Sequence, residues 1–391
     1  MKVIINDIDH MGRGITKIDN IITFTPKTIP KDIVNIDIIK KKKNYQEGKL
    51  LKVIEKSPNR IKTKCPYYDV CGGCHISNLS YNNQLIYKKN KVINIFKKYS
   101  NIIINPEIIP SAKEYQYRNK ITYHNGEYLG LVSIDNKIIN IDSCLLVSDK
   151  VNNLLKKIKK EDTKEIKELT IREFANGLVL DIKGNLFTDN LKEDVISIYK
   201  NNNLIYEKEK GYFILNNIKY YVSNNSFFQI NTSNIETLYN QIIKLADFKK
   251  NDKVIDLYCG VGSITLYISK LVKEILGIEI VESAIEKAKE NAKINNIKNA
   301  KFKCGAVSSL IDNFIDADKI IVDPPRSGLD KHTINVLNNS KTKKIIYVSC
   351  DPITLARDIK NLNNYELKNI VLIDMFPQTY HVESIVLLKL K

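Results

Sequence analysis

Cys350 stands in Ser349-Cys350-Asp351-Pro352, directly after the apolar run Ile345-Ile346-Tyr347-Val348, and Glu383 closes the string Phe376-Pro-Gln-Thr-Tyr-His-Val-Glu383. A thiol and a carboxylate at the ends of two neighbouring predicted strands can form one covalent catalytic site. A lone cysteine is most often a buried structural residue, but polar Asp351 and rigid Pro352 argue for an accessible strand terminus. A thiolate there can add to C6 of uracil or cytosine, which breaks aromaticity and makes C5 nucleophilic enough to take a methyl group. The C5 proton must then leave, so a base is required. Glu383 is placed for that task by strand order, and His381 is the alternative.

A methyl donor needs its own site. Asp256-Leu-Tyr258-Cys-Gly260-Val-Gly262 ends one predicted strand and precedes a helix, and Glu279 ends the next strand about 20 residues on. Glycines let the backbone approach a ligand, and the acid can accept hydrogen bonds from ribose hydroxyls. Thr265 occupies the third glycine position of a dinucleotide fingerprint, and no Gly-Lys-Ser/Thr follows for phosphates. A nucleoside without phosphates fits better, which favours S-adenosylmethionine. Asp323-Pro-Pro-Arg326-Ser-Gly328 ends a further strand at the same edge. Amino-group methyltransferases commonly carry an aromatic residue where Arg326 stands, so an exocyclic amine is a poorer target than a ring carbon.

Cys65-x5-Cys71-Gly-Gly-Cys74, with Cys144 the nearest cysteine downstream, has the look of a metal or cluster loop. Four thiolates suit an iron–sulfur cluster or a structural zinc. The spacing is not the Cys-x3-Cys-x2-Cys of radical enzymes. Cys304 is expected in the core. Seven unevenly spaced cysteines in 391 residues do not form a disulfide framework, and a reducing cytoplasm is expected.

These residues need a scaffold of several domains. Residues 1–57 show short strands at 3–5, 21–24, 33–39 and 49–54, as in a small β-barrel closed by Pro58. Residues 58–222 hold the cysteine loop, a helix over 79–99 and mostly strand-like segments, with 186–203 expected as exposed helix and loop. From 223 to 391, strands at 253–258, 274–280, 319–323, 344–349 and 369–374 alternate with helices, the clearest at 283–295. That alternation predicts a doubly wound, Rossmann-like α/β domain with ligands at the carboxyl ends of its strands. Lys and Arg total 61 against 44 Asp and Glu, a net charge of +17 that favours a polyanionic partner. The first 60 residues, with 13 basic against 7 acidic, are enriched beyond their share. No apolar run is long enough to span a membrane.

The chain resembles the bacterial RNA 5-methyluridine methyltransferase family, in particular its 23S ribosomal RNA branch, over nearly its whole length. The resemblance implies an OB-like TRAM barrel over 1–57, although the family's Pro-Gly-Asp/Glu appears as Pro30-Lys31-Asp32. It implies a [4Fe-4S] cluster on Cys65, Cys71, Cys74 and Cys144. It assigns Cys350 as nucleophile, Glu383 as base, and Gln229, Tyr258, Glu279 and Asp323 to the S-adenosylmethionine and target-base site. Cys304-Gly-Ala-Val307 departs from the family's adenine loop, so no role is carried over there. The transfer RNA branch typically lacks barrel and cluster, which makes 23S rRNA the expected partner. A tRNA uridine methyltransferase and a non-catalytic RNA-binding protein are the alternatives; a DNA cytosine methyltransferase usually has Pro before its cysteine, where Ser349 stands here.

Overall fold

The computed structural model describes residues 1–223, 226–314 and 317–391. Strands β1 (Lys2–Ile4), β2 (Asp7–Ile8), β3 (Gly14–Ile18), β4 (Ile21–Thr25), β5 (Ile33–Lys41) and β6 (Tyr45–Glu55) form one sheet in the order β1-β5-β6-β4-β3-β2. Alternation of side chains across the pleat buries Ile5, Val34 and Ile36 in its small core. Ahead of β5, Lys31 adopts a left-handed φ of 72°. An L side chain holds that conformation at a cost of about 1–2 kcal/mol. Buried Asp32 secures the turn, accepting from the N–H of Ile29 (2.9 Å) and Ser57 (3.0 Å) and pairing with Arg60 at 2.5 Å. The tripeptide Pro30-Lys31-Asp32 therefore keeps its turn without a glycine.

Helix α1 (Tyr81–Ser100) starts where the Ser80 side chain accepts from the Asn83 N–H and stops at left-handed Asn101. Its apolar stripe of Val92, Ile95 and Phe96 packs on the C-terminal sheet. Strand β7 (Glu107–Ile109) joins that sheet as well. The middle sheet contains β8 (Lys120–Asn125), β9 (Leu129–Val132), β10 (Ile138–Asn140), β11 (Ile166–Phe174), β12 (Gly177–Gly184), β13 (Ser197–Lys200) and β14 (Asn203–Glu207), ordered β10-β9-β8-β11-β12-β13-β14. Helix α2 (Asp149–Ile158) buries Val151, Leu154 and Leu155 against it. Segment 186–203 thus differs from expectation: β13 pairs with β12 and buries Ser197 and Ile198, because a β-branched run lies among its lysines and asparagines.

After the hairpin β15 (Tyr212–Leu215) and β16 (Ile218–Tyr221) come α3 (Thr232–Ala246), β17 (Lys253–Leu257), α4 (Ser263–Ser269), β18 (Glu274–Glu279), α5 (Glu282–Ile294), β19 (Ala300–Cys304), α6 (Val307–Leu310), β20 (Lys319–Val322), α7 (Lys331–Asn339), β21 (Lys344–Ser349), α8 (Pro352–Asn361), β22 (Tyr365–Ile373) and β23 (Glu383–Leu390). Their sheet has the order β19-β18-β17-β20-β21-β23-β22-β7. Helices α3, α4 and α5 cover one face and α1, α7 and α8 the other, which explains why its central strands are apolar on both sides. Cys304, expected in the core, is exposed because β19 is the edge strand. β17, β18, β20 and β21 run parallel, and antiparallel β23 begins where β21 ends. The strand order reverses between β17 and β20, the place where doubly wound sheets receive ligands. Among the described residues no helix is long and apolar enough to cross a membrane.

Candidate active site and cysteine cavity

Strand register brings the sharpest pair of residues together. Ser349 pairs with Ser384, so Cys350 and Glu383 lie side by side at the end of β21 and the start of β23. Asp351 and Pro352 act as a helix start: the Asp351 carboxylate accepts from the N–H of Ile353 (2.8 Å) and Thr354 (3.1 Å), and Pro352 opens α8. Cys350 thus sits immediately before a helix N-cap and is half-buried. Burial raises its thiol to about 11, reinforced by Glu383 and Asp323, while the Arg326 guanidinium bonds to the sulfur and opposes the rise. Glu383 is 3% exposed. Burial and then Asp323 raise its carboxyl to about 8, again against Arg326. His381 moves the other way: burial, with Lys91 and Arg326, lowers it to about 3, which leaves a feeble base. The sequence marked Arg326 only as a missing aromatic; the structure makes it the cation of this corner.

The same edge continues through Asp323, Asp256 and Glu279. Burial raises Asp323 to about 7, with Asp256 adding to the effect. Asp256 is fully buried and is likewise raised to about 7 by burial, opposed by Thr265, whose hydroxyl donates to it at 2.5 Å. Its other oxygen, Oδ1, has no partner among the described residues. Four carboxylates therefore lie in a row across the strand ends, and for Asp256, Asp323 and Glu383 burial favours the protonated form.

Glu279 is fixed at both oxygens, accepting from Gly260 N–H (3.1 Å) and Val281 N–H (3.0 Å), and each oxygen keeps a lone pair for another donor. Tyr258 and Gly260 have left-handed φ angles of 65° and 54°. A Cβ added at Gly260 would meet no atom of the described residues within 4 Å, so the turn presents its backbone to the adjoining cavity. A cavity of about 740 Å³ borders this turn, lined among others by Gly260, Glu279, Val281 and Phe227. The orphaned Asp256 oxygen, the pinned acid and the bare glycine fit a nucleoside with a positively charged end. Gln229 is buried just ahead of α3, with its carbonyl accepting from the Asn119 amide at 3.0 Å.

Cys65, Cys71, Cys74 and Cys144 all line a second cavity of about 760 Å³ between the first and middle sheets. Asn152 of α2 holds the Cys144 backbone in both directions, at 2.9 and 3.1 Å. The buried ammonium of Lys27, from the first sheet, donates to the carbonyls of Cys71 (2.9 Å) and Cys74 and lies 4.1 Å from the Tyr68 ring centre. Burial lowers the Lys27 ammonium to about 8 and raises the Cys65, Cys74 and Cys144 thiols, while attraction between the cation and the sulfurs of Cys65 and Cys74 opposes both shifts. Among the described residues no three Cys, His, Asp or Glu side chains are gathered as ligands of a single ion. The donor chemistry, four thiols around one space, fits an iron–sulfur group.

The chain is similar to known proteins over nearly its whole length. The tRNA (Uracil-5-)-methyltransferase family matches residues 179–315 and 307–391, and the TRAM domain matches residues 1–51. An uncharacterized RNA methyltransferase of Clostridium tetani is 35% identical over 96% of this chain and 93% of its own. One of Clostridium acetobutylicum is 33% identical over 99% of this chain and 96% of its own. The crystal structure of the Pyrococcus abyssi tRNA (uracil-54, C5)-methyltransferase in complex with S-adenosyl-L-homocysteine superposes with a TM-score of 0.82 at 27% identity, covering 99% of this chain and 100% of that one.

Proposed function

The chain belongs to the tRNA (Uracil-5-)-methyltransferase family, an S-adenosylmethionine-dependent group acting on RNA, and from that premise we propose that Cys350 forms a covalent bond to C6 of a uridine whose C5 it prepares for methylation. The observation that carries this reading is the register of β21 and β23, which sets the Cys350 thiol beside the buried Glu383 carboxyl. S-adenosylmethionine supplies an electrophilic methyl group. Arg326 favours the thiolate of Cys350, which adds to C6 of a base taken out of its stack. After C5 is methylated, Glu383 accepts the C5 proton; the C5–H electron pair restores the C5–C6 double bond and expels the thiolate. A carboxylate raised toward neutral pH suits that step, since a stronger base accepts a carbon-bound proton more readily.

Glu279 is proposed to hold the ribose, with Tyr258, Gln229 and Asp323 lining the cofactor and base site. Gly260→Ala puts a methyl group into the open space beside the turn. It is expected to weaken S-adenosylmethionine binding by about 1–3 kcal/mol, the range for forcing a methyl group into filled space, as read by calorimetric titration. Unchanged affinity would place the cofactor elsewhere.

The four cysteines are proposed as ligands of a [4Fe-4S] cluster, supported by their sharing one cavity with a buried lysine as countercharge. Protein purified without oxygen should be brown and carry iron and acid-labile sulfide in equal amounts, and Cys74→Ser should lose both. A colourless protein holding zinc would refute the assignment.

The RNA is proposed to be 23S rRNA, as the cysteine loop suggests. A uridine in tRNA is the second reading, favoured by the end-to-end likeness to the Pyrococcus abyssi enzyme; a barrel-sized segment does not separate the two. Mass-spectrometric mapping of 5-methyluridine in both RNAs, from cells with and without this gene, decides between them.

A further inference from the structure

Glu383 is delivered by residues 374–381, a loop with no regular structure, yet its carbonyls are taken one after another by distant donors. Asn234 and Asn231, at the start of α3, donate to the carbonyls of Asp374 (3.2 Å) and Met375 (3.1 Å). Lys88 of α1 donates to Phe376 (3.0 Å), Tyr117 to Pro377 (3.1 Å), and Lys91 of α1 to Tyr380 (2.9 Å). The backbone N–H groups of His75 and Ile76, just past the cysteine loop, both donate to Gln378 (2.9 and 3.2 Å). Donors on the carbonyls of 374 to 378 and of 380 restrict an otherwise irregular segment to a narrow range of conformations.

Gln378 is the centre of this arrangement, buried with a left-handed φ of 71°. Gln84 of α1, itself 1% exposed, accepts from the Gln378 N–H (2.9 Å) and donates to its side-chain carbonyl (3.0 Å). The same Gln84 amide donates to the Leu79 carbonyl at 3.0 Å, which fixes its own rotation. Two amides that satisfy each other reciprocally specify both position and orientation. Lys88 pairs with Asp374 at 2.6 Å one turn further along α1, but removing it would strand a buried carboxylate and disturb the fold itself.

We infer that Gln84 is a positioning residue for the reaction: its amide clasp on Gln378 sets the loop that aims Glu383 at the C5 proton. This rests on the reading of Glu383 as the base. Addition of the Cys350 sulfur to C6 and transfer of the methyl group to C5 precede removal of the C5 proton. A misaimed Glu383 therefore slows only the last step, in which the proton passes to its carboxylate, the C5–C6 double bond reforms and the thiolate leaves. The methylated protein–RNA adduct then accumulates on ordinary, unfluorinated uridine.

The test uses full-length Gln84→Met, of similar shape but without either polar atom, with substrate RNA and radiolabelled S-adenosylmethionine. Expected are a fall in kcat on the order of tenfold to a hundredfold, a matching fall in the KM for RNA with kcat/KM little changed, and a denaturation-resistant labelled adduct. Gln84→Asn, whose amide stops one carbon short of Gln378, should behave alike and serves if the Met variant does not fold. Wild-type turnover, or a loss of turnover without adduct, overturns the inference. Glu383→Gln run in parallel separates the two claims. Adduct in Glu383→Gln but not in the Gln84 variants defeats the clasp alone. Its absence from Glu383→Gln as well defeats the base assignment and the clasp with it.

Discussion

Cys350→Ala should abolish methyl transfer while leaving RNA binding and S-adenosylmethionine binding close to those of the unaltered protein. The expected fall in turnover is on the order of 10⁴-fold or more, as for removal of a nucleophile that works as part of a unit. Nothing structural obscures the result. The half-buried thiol is not needed to begin α8, whose cap is Asp351. Its loss leaves Arg326 facing the Glu383 carboxyl, so folding stability should change by less than about 1 kcal/mol. Filter binding with target RNA and a single-turnover methylation assay give the two halves of the prediction. Methylation at the original rate would remove Cys350 from the chemistry altogether.

Glu383→Gln should lower turnover by about 10²–10⁴-fold, the usual worth of a positioned general base, and at the same time stabilise the free protein above neutral pH. The sign follows from the raised carboxyl. Its ordinary value is about 4.3 when the chain is unfolded, and about 8 when folded. The folded protein therefore holds the proton more tightly. The stability this confers is complete below about pH 4 and is lost as pH rises through about 8. Glutamine mimics the protonated acid at every pH, so the variant should be more stable than the unaltered protein at pH 8 by an amount on the order of a few kcal/mol. The difference should shrink to about 1 kcal/mol near pH 5 and vanish below about pH 4. Asp323 and Asp256, each raised to about 7, lend the unaltered protein a loss of stability in the same direction. Urea unfolding at pH 5 and pH 8 checks this. A variant less stable than the unaltered protein at pH 8 would mean that Glu383 is ionised and paired in the free site. The cost of gathering acids at one sheet edge is thus carried by the fold, and the same crowding gives Glu383 the proton affinity its role demands.

The candidate site was largely legible in the sequence because its residues lie at strand ends, where alternating strand and helix leave a local pattern. Asp256, Glu279, Asp323 and Cys350 each follow an apolar run, and parallel order alone brings them to one edge. What remained hidden depends on contacts between remote parts of the chain. β7 is three residues long and pairs with β22 more than 250 positions away, so no periodicity announces it. Gln84 meets Gln378 across 294 positions. Arg326 drew notice as a departure from an aromatic, while its value as a cation depends on the acids around it. Cys304 was misjudged because its exposure follows from β19 being an edge strand, which is a property of the sheet and not of the segment. Lys31 shows the converse: a residue poorly suited to its φ is held by Asp32 within the turn and by Arg60 from outside it.

The covalent step can be tested most directly with RNA containing 5-fluorouridine, incubated with the protein and S-adenosylmethionine. Fluorine at C5 cannot leave as a proton does, so after addition and methylation the adduct has no way forward. A crosslinked peptide carrying a methylated fluorouridine on Cys350 is the predicted product, absent from Cys350→Ala. An active preparation that yields no crosslink, or one joined through another residue, would contradict covalent catalysis by Cys350.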